Sequence, residues 1–158
     1  MSMAARTLGG DAAECAGRLL VTLQFGLLAF MGWRAWVALS ILDTAAAALL
    51  TGSAGMAIWT LAVNRPGNFN IRPTPRSGGA LVTSGPYRWI RHPMYTSVLL
   101  GAAGAAVMSH QFLDVLLWLA LLVVLAAKAA IEERALMVRF PSYQDYKTQT
   151  TRFVPWLV

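Results

Sequence analysis

Charge is scarce in this chain. Of its 158 residues only 13% are Asp, Glu, Lys or Arg, and 57% are hydrophobic. An average soluble domain has about 25% charged and roughly 45–50% apolar residues. The shortfall argues against a soluble globular fold and against disorder. Cysteine is almost absent: Cys15 stands alone, which excludes an intrachain disulfide framework. Acidic residues number 7 against 13 basic ones, giving a formal net charge of +6. The basic residues are too sparse and too segregated for a nucleic-acid surface. There is no internal repeat and no low-complexity tail. The length suits a single domain, taken as residues 1–158, and is too short for two.

What is present is long apolar runs. Residues 44–63 hold twenty positions without a charge, the length of a bilayer-crossing helix. Residues 93–109 form a second, shorter run. Residues 115–127 are intensely apolar and lie between Asp114 and Lys128, whose long side chain can reach the interface. Residues 19–33 form the first run, which ends at Arg34. The pattern predicts an all-α integral membrane protein with four spans, roughly 16–36, 42–63, 93–109 and 112–131. A signal peptide is the rival reading of the first run. The residues ahead of it include Asp11 and Glu14, a poor basic leader, and no small-residue cleavage site follows.

Four spans put both termini on one side. Twelve of the 13 basic residues then share that side, and Arg34 alone lies opposite. The positive-inside rule makes the crowded side cytoplasmic. Trp33, Trp36 and Trp118 fall near the outer ends, Trp59 and Trp89 near the inner, as interface anchors do. Gly52 and Gly55 in span two, with Ser97, Gly101, Gly104 and Ala105 in span three, predict close helix approach.

The outer connections are minimal, whereas residues 64–92 and about 128–158 gather on the cytoplasmic side. Residues 64–80 are rich in Pro, Gly and Asn and predict an irregular connection. Pro86 can open a short helical turn, and Pro93 can open span three. His92, just before Pro93, is pushed out of helical geometry toward the N-cap. The span-three N-terminus, beside Arg91, suits an anion. Span four should project beyond the bilayer and carry Glu132 and Glu133. Ser142 and Asp145 have capping-box spacing, with Tyr143 and Tyr146 on one face of the helix after them. Residues 151–156 read as extended. Basic and aromatic groups before one membrane hairpin and two carboxylates just after it would converge at one height. Such a mouth suits a zwitterion bearing an α-amino and an α-carboxylate group. Read singly, each residue also has a structural explanation: interface charge, a solvated helix face, or an aromatic anchor. His110 reads as structural.

The blocks LVTSGPYRWIRHPMY, EERAL, FPSYQDY and RFVPW, over residues 81–158, resemble the isoprenylcysteine carboxyl methyltransferase family, which is grouped with the membrane phospholipid methyltransferases. The resemblance implies S-adenosylmethionine as cofactor, with S-adenosylhomocysteine as product. It implies a cytoplasmic cofactor pocket built from the span 2–3 loop, the end of the last helix and the C-terminal tail, with the catalytic region over 81–158. Carried onto this chain, cofactor binding falls to Leu81, Val82, Tyr87, His92, Pro93, Tyr95, Glu132 and Glu133. Arg91 and Arg152 are candidates to hold an anionic substrate, and Glu133 to assist proton removal. No metal is implied. Ser97 stands where many members carry Gly, and Gly101-Ala-Ala-Gly104 differs from the two-glycine phospholipid N-methylation motif. The implied activity is methyl transfer to a lipophilic acceptor at the cytoplasmic membrane face. Phospholipid N-methylation and small-thiol S-methylation stay open, as does the oligomeric state. The non-enzyme rivals are a small four-helix transporter, which would need a carboxylate inside the membrane, and a catalytically silent membrane subunit.

Overall fold

A computed structural model describes residues 3–38, 44–64 and 80–155, with side chains from Glu14 onward. Among these the regular structure is helical. The elements are α1 (Met3–Val37), α2 (Thr44–Val63), a 3-10 turn (Gly85–Arg88), α3 (Pro93–Ser109), α4 (Phe112–Arg139) and α5 (Tyr143–Gln149). Three stretches are long and apolar enough to cross a membrane: Glu14–Val37, Thr44–Val63 and Phe112–Arg139. α3 is apolar too, but its 17 residues reach only about 25 Å at 1.5 Å per residue. Most of the connection predicted over 64–80, with Arg65, Arg72 and Arg76, lies outside the described residues, as do Asp43 and Trp156.

The helix boundaries follow local chemistry. Pro86 and Pro93 each occupy the first turn of their helix, where a missing N–H costs nothing. Gly85 precedes Pro86 at φ +60, and a Cβ there would lie 2.5 Å from Val63. His110 ends α3 in the left-handed conformation. α4 runs 28 residues, so its last two turns exceed what a bilayer requires.

α1 packs on α3 and α4, and α2 packs on α3. Met31, Leu99, Ala102, Leu121 and Leu125 form the buried core, with Leu28, Tyr95 and Phe153 against it. The close approach predicted from small residues is made from one side only. Gly101 and Gly104 meet Ser53 and Leu50 of α2, where an added Cβ would lie 2.9 Å from each. Gly52 and Gly55 face open space instead, because they lie on the other face of α2. Trp118 departs from its predicted anchoring role: its indole N–H donates to the Leu99 carbonyl at 2.9 Å and ties α4 to α3. Trp33 and Trp36 are exposed, as interface anchors would be.

The far end of the bundle holds an ion pair the sequence did not announce. Arg34, at the end of α1, makes two hydrogen bonds to Asp114 in the first turn of α4, at 2.7 and 2.9 Å. Ser109 also donates to Asp114. Arg34 is thereby neutralised across 80 positions of chain.

Candidate functional site

The site grows from the junction between the 3-10 turn and α3. Residues 89–92 run alongside the C-terminal tail, with Ile90 and Thr151 in a parallel bridge. The Arg91 N–H donates to the Thr151 carbonyl at 2.8 Å and the His92 N–H to the Arg152 carbonyl at 3.1 Å. The Thr96 hydroxyl donates to the Phe153 carbonyl at 2.7 Å. These bonds strap the tail across the start of α3. The strap carries Arg152 and Phe153 to the place where α4 presents Glu132 and Glu133.

Glu133, only 2% exposed, is the hub. Arg152 reaches it with two nitrogens, at 3.1 and 2.9 Å. Arg91 Nε donates to it at 3.0 Å, and Lys147 Nζ lies 3.7 Å away. Arg91 also donates to the Lys147 and Thr150 carbonyls, which pins α5 to the cluster. Arg91 is thus held by acceptors on three residues, Glu133, Lys147 and Thr150.

His92 bridges the two carboxylates. Its Nε2 lies 3.3 Å from Glu133, and its Nδ1 lies 3.4 Å from Glu132. Only the protonated ring can donate from both nitrogens. Burial opposes that charge, but the two carboxylates outweigh burial and raise the His92 pKa above its ordinary value. The Tyr95 hydroxyl donates to Glu132 at 2.5 Å. Its ring stacks on His92 with centroids 5.3 Å apart and planes 5° from parallel, and Phe153 closes against both rings. Glu132 is the more open carboxylate, with 18% of its side chain exposed.

The predicted residues divide by place. Arg91, His92, Tyr95, Glu132, Glu133 and Arg152 form one cluster, and Pro93 sets the helix start that aims them. Tyr87 stands beside it: its carbonyl accepts from the Tyr146 hydroxyl at 2.7 Å, and its own hydroxyl accepts from Asn64 at 3.0 Å. Burial pushes the phenol pKa values of Tyr87, Tyr143 and Tyr146 upward. Leu81 and Val82 are half-buried in the segment leading to the turn, and no hydrogen bond among the described residues joins them to the cluster. Tyr143 and Tyr146 do share a face of α5, with rings edge-on at 5.7 Å. Ser142 occupies the N-cap position but makes no side-chain cap bond, because its backbone is already helical. Ser97 does not crowd the cluster: its hydroxyl turns back to the Met94 carbonyl at 2.8 Å.

Sequence reasoning missed Lys147, Thr150 and Thr96, whose roles depend on the strap. It also missed Gln24, which accepts from Lys128 at 2.7 Å. The signal for Gln24 was available, since it is the one polar amide in the run 19–33.

A family model described as phospholipid methyltransferase matches residues 33–142. The chain is 37% identical over 83 residues to the cobalt-zinc-cadmium resistance protein CzcN of Cupriavidus metallidurans, covering 52% of this chain and 38% of that protein. It is 35% identical over 83 residues to the nickel-cobalt-cadmium resistance protein NccN of Alcaligenes xylosoxydans xylosoxydans, covering 52% and 39%. The chain therefore spans about two fifths of the length of these curated relatives.

Proposed function

The chain belongs to the phospholipid methyltransferase family, and from that premise we propose that it transfers a methyl group from S-adenosylmethionine to a lipophilic acceptor at the cytoplasmic face of a membrane. Membership bears out the resemblance drawn from residues 81–158. In this reading α3 completes a four-span bundle with both termini cytoplasmic. The transfer resembles isoprenylcysteine carboxyl O-methylation.

The observation that carries the proposal is the cluster in which α3, α4 and the tail meet. Its donor set fits the cofactor. A partly open carboxylate, Glu132, suits an ammonium group, and the rings of Tyr95 and Phe153, tilted at 55° to each other, suit an apolar or aromatic part of the ligand. We assign Glu132, His92, Tyr95 and Phe153 to hold the cofactor, with residues 81–87 contributing backbone groups beside it. When bound, S-adenosylmethionine supplies a methyl group on an already electrophilic sulfonium. The residues then need to align the acceptor more than to activate it, and alignment supplies on the order of 7–11 kcal/mol.

The roles of the charged residues derive from their partners. Glu133 accepts from two guanidinium groups and is poorly placed to take a proton. We propose that it positions Arg152 and His92. Arg91 is held by protein acceptors on three sides and acts as the rivet between α4 and α5. Arg152 keeps 35% of its side chain exposed and is the better candidate to orient an anionic acceptor. A carboxylate acceptor needs no general base, whereas a thiol or amine must lose a proton. The weak basicity of this cluster favours the carboxylate. The two relatives are named for resistance to metals. Among the described residues, however, no group of three or more His, Cys, Asp or Glu side chains could hold a metal ion.

Calorimetry of S-adenosylmethionine binding to detergent-purified protein tests the reading. Wild type should bind, and Glu132→Ala should weaken binding about tenfold or more, the scale of one charge-assisted contact. An Arg91/His92 double alanine variant should abolish it. Absence of binding by wild type at millimolar cofactor, or unchanged binding in both variants, would sink the proposal.

A further inference from the structure

Lys128 is a buried cation that the Glu132–Glu133 cluster does not use. Its side chain lies in α4, one turn before Glu132, and the residue is 2% exposed. Its ammonium donates to Gln24 Oε1 at 2.7 Å and lies 5.0 Å from the centre of the Tyr95 ring. Gln24 is itself 7% exposed, in the middle of the apolar run of α1. Both contacts are neutral, and Glu132 acts on the ammonium only from beyond contact distance. The other interior cations are matched differently: Arg34 has Asp114, and Arg91 has Glu133. Glu132, the nearest carboxylate in sequence, is engaged by Tyr95 and His92 instead. An ammonium carries three donors and no acceptor. One is satisfied by an amide oxygen, and the ring face can take only a weak share of the others. A cation held within an apolar segment without a carboxylate in contact is costly and marks a place where an opposite charge is to be met.

Tyr95 sets the geometry of that place. Its hydroxyl is committed to Glu132 on the cluster side, and Lys128 lies over its ring face. The buried cation is therefore one aromatic ring from the cofactor-facing carboxylate, on the side where α1 meets α4. Leu121 and Leu125 of the same helix, with Leu28 of α1 packed against them, belong to the buried apolar core.

We infer that Lys128, held in place by Gln24, sets specificity for the methyl acceptor. It recognises an anionic oxygen group, carboxylate or phosphate, carried on a long apolar chain. Lys128 supplies the charge, and Gln24 holds the ammonium over Tyr95 until the anion arrives. The inference rests on the methyl-transfer reading for the fate of the bound molecule. The binding itself is separable from it.

The test is a tryptophan-fluorescence titration of the full chain in neutral detergent, with oleate, oleyl phosphate and oleyl alcohol as probes. Wild type should bind at least one of the anions about tenfold tighter than the alcohol, the ratio that one hydrogen bond to a charged group supplies. Whichever anion is preferred identifies the headgroup class. Lys128→Met, close to isosteric, should bring anion and alcohol within about twofold of each other, and Lys128→Arg should retain the preference. Gln24→Leu removes the neutral partner and leaves the charge, so the preference should persist. If the pair were only a tie between α1 and α4, Lys128→Met and Gln24→Leu would behave alike. No preference in wild type, or a preference intact in Lys128→Met, overturns the inference. S-adenosylmethionine binding is measured on the same preparations. Its absence alongside intact anion preference would fault the methyl-transfer reading and leave the anion site standing.

Discussion

His92 shows how one residue can serve fold and site together. Its backbone is kept out of the helical region by Pro93, which leaves the N–H free for the Arg152 carbonyl. Its ring is then delivered between two carboxylates. Because the pKa of His92 is raised in the folded protein, protonation and folding support each other. Its contribution is fully present below the unfolded value of about 6.5 and is lost as pH rises through the higher folded value. Melting temperature should therefore fall as pH is raised above about 6.5, and His92→Gln should flatten that part of the profile. An unchanged profile in His92→Gln would remove His92 as the cause. Pro93, His92 and the Glu pair were legible because each carries a local or motif-level signal. The bond between His92 N–H and the tail was not, since no local pattern marks which distant carbonyl will accept it.

At the level of elements, the packing of α2 on α3 is set by what glycine leaves out. At Gly104 a Cβ would lie 2.9 Å from Leu50 and 3.3 Å from the Ala46 carbonyl. The carbonyl belongs to a helix backbone and cannot turn aside. Gly104→Val should therefore destabilise the bundle by about 1–3 kcal/mol, the usual range for overpacking, measured as a shift in thermal or denaturant unfolding. Gly55→Val, on the open face of α2, serves as the control and should shift little. The existence of these helices and their small-residue content could be read from composition. Which glycines face a partner could not, because that depends on the rotation of each helix about its axis, and α2 is apolar on every side. The same limit applied to Trp118, which bonds to α3 although its sequence position suits an interface anchor.

For the whole molecule, two polar links join α1 to α4, Arg34 with Asp114 at one end and Gln24 with Lys128 nearer the cluster. With both links fixed the helices run antiparallel, so the start of the Glu14–Val37 stretch lies at the same end as Glu132 and Glu133. The proposed orientation makes that end cytoplasmic. The single cysteine, Cys15, is exposed there and reports on it. A membrane-impermeant maleimide should label Cys15 in inside-out vesicles and leave it unlabelled in right-side-out ones. The reverse pattern would invert the topology and place the cluster on the opposite face.

The sequence by itself determined the class of molecule: apolar length predicts helices that can span a bilayer, proline and glycine mark where they begin, and four short blocks between residues 81 and 158 point to the family. These are properties of neighbouring residues, which share one stretch of backbone. The tertiary structure alone decided which charges meet. Arg34 and Asp114 are 80 positions apart, and Arg91 and Glu133 are 42 apart. Each of these residues read alone is consistent with an interface charge. Helix rotation and the strap of residues 150–153 across α3 convert them into partners. They also leave Lys128 over Tyr95 with Gln24 as its hydrogen-bond acceptor, because the nearby carboxylates are already taken by groups that the fold brings closer.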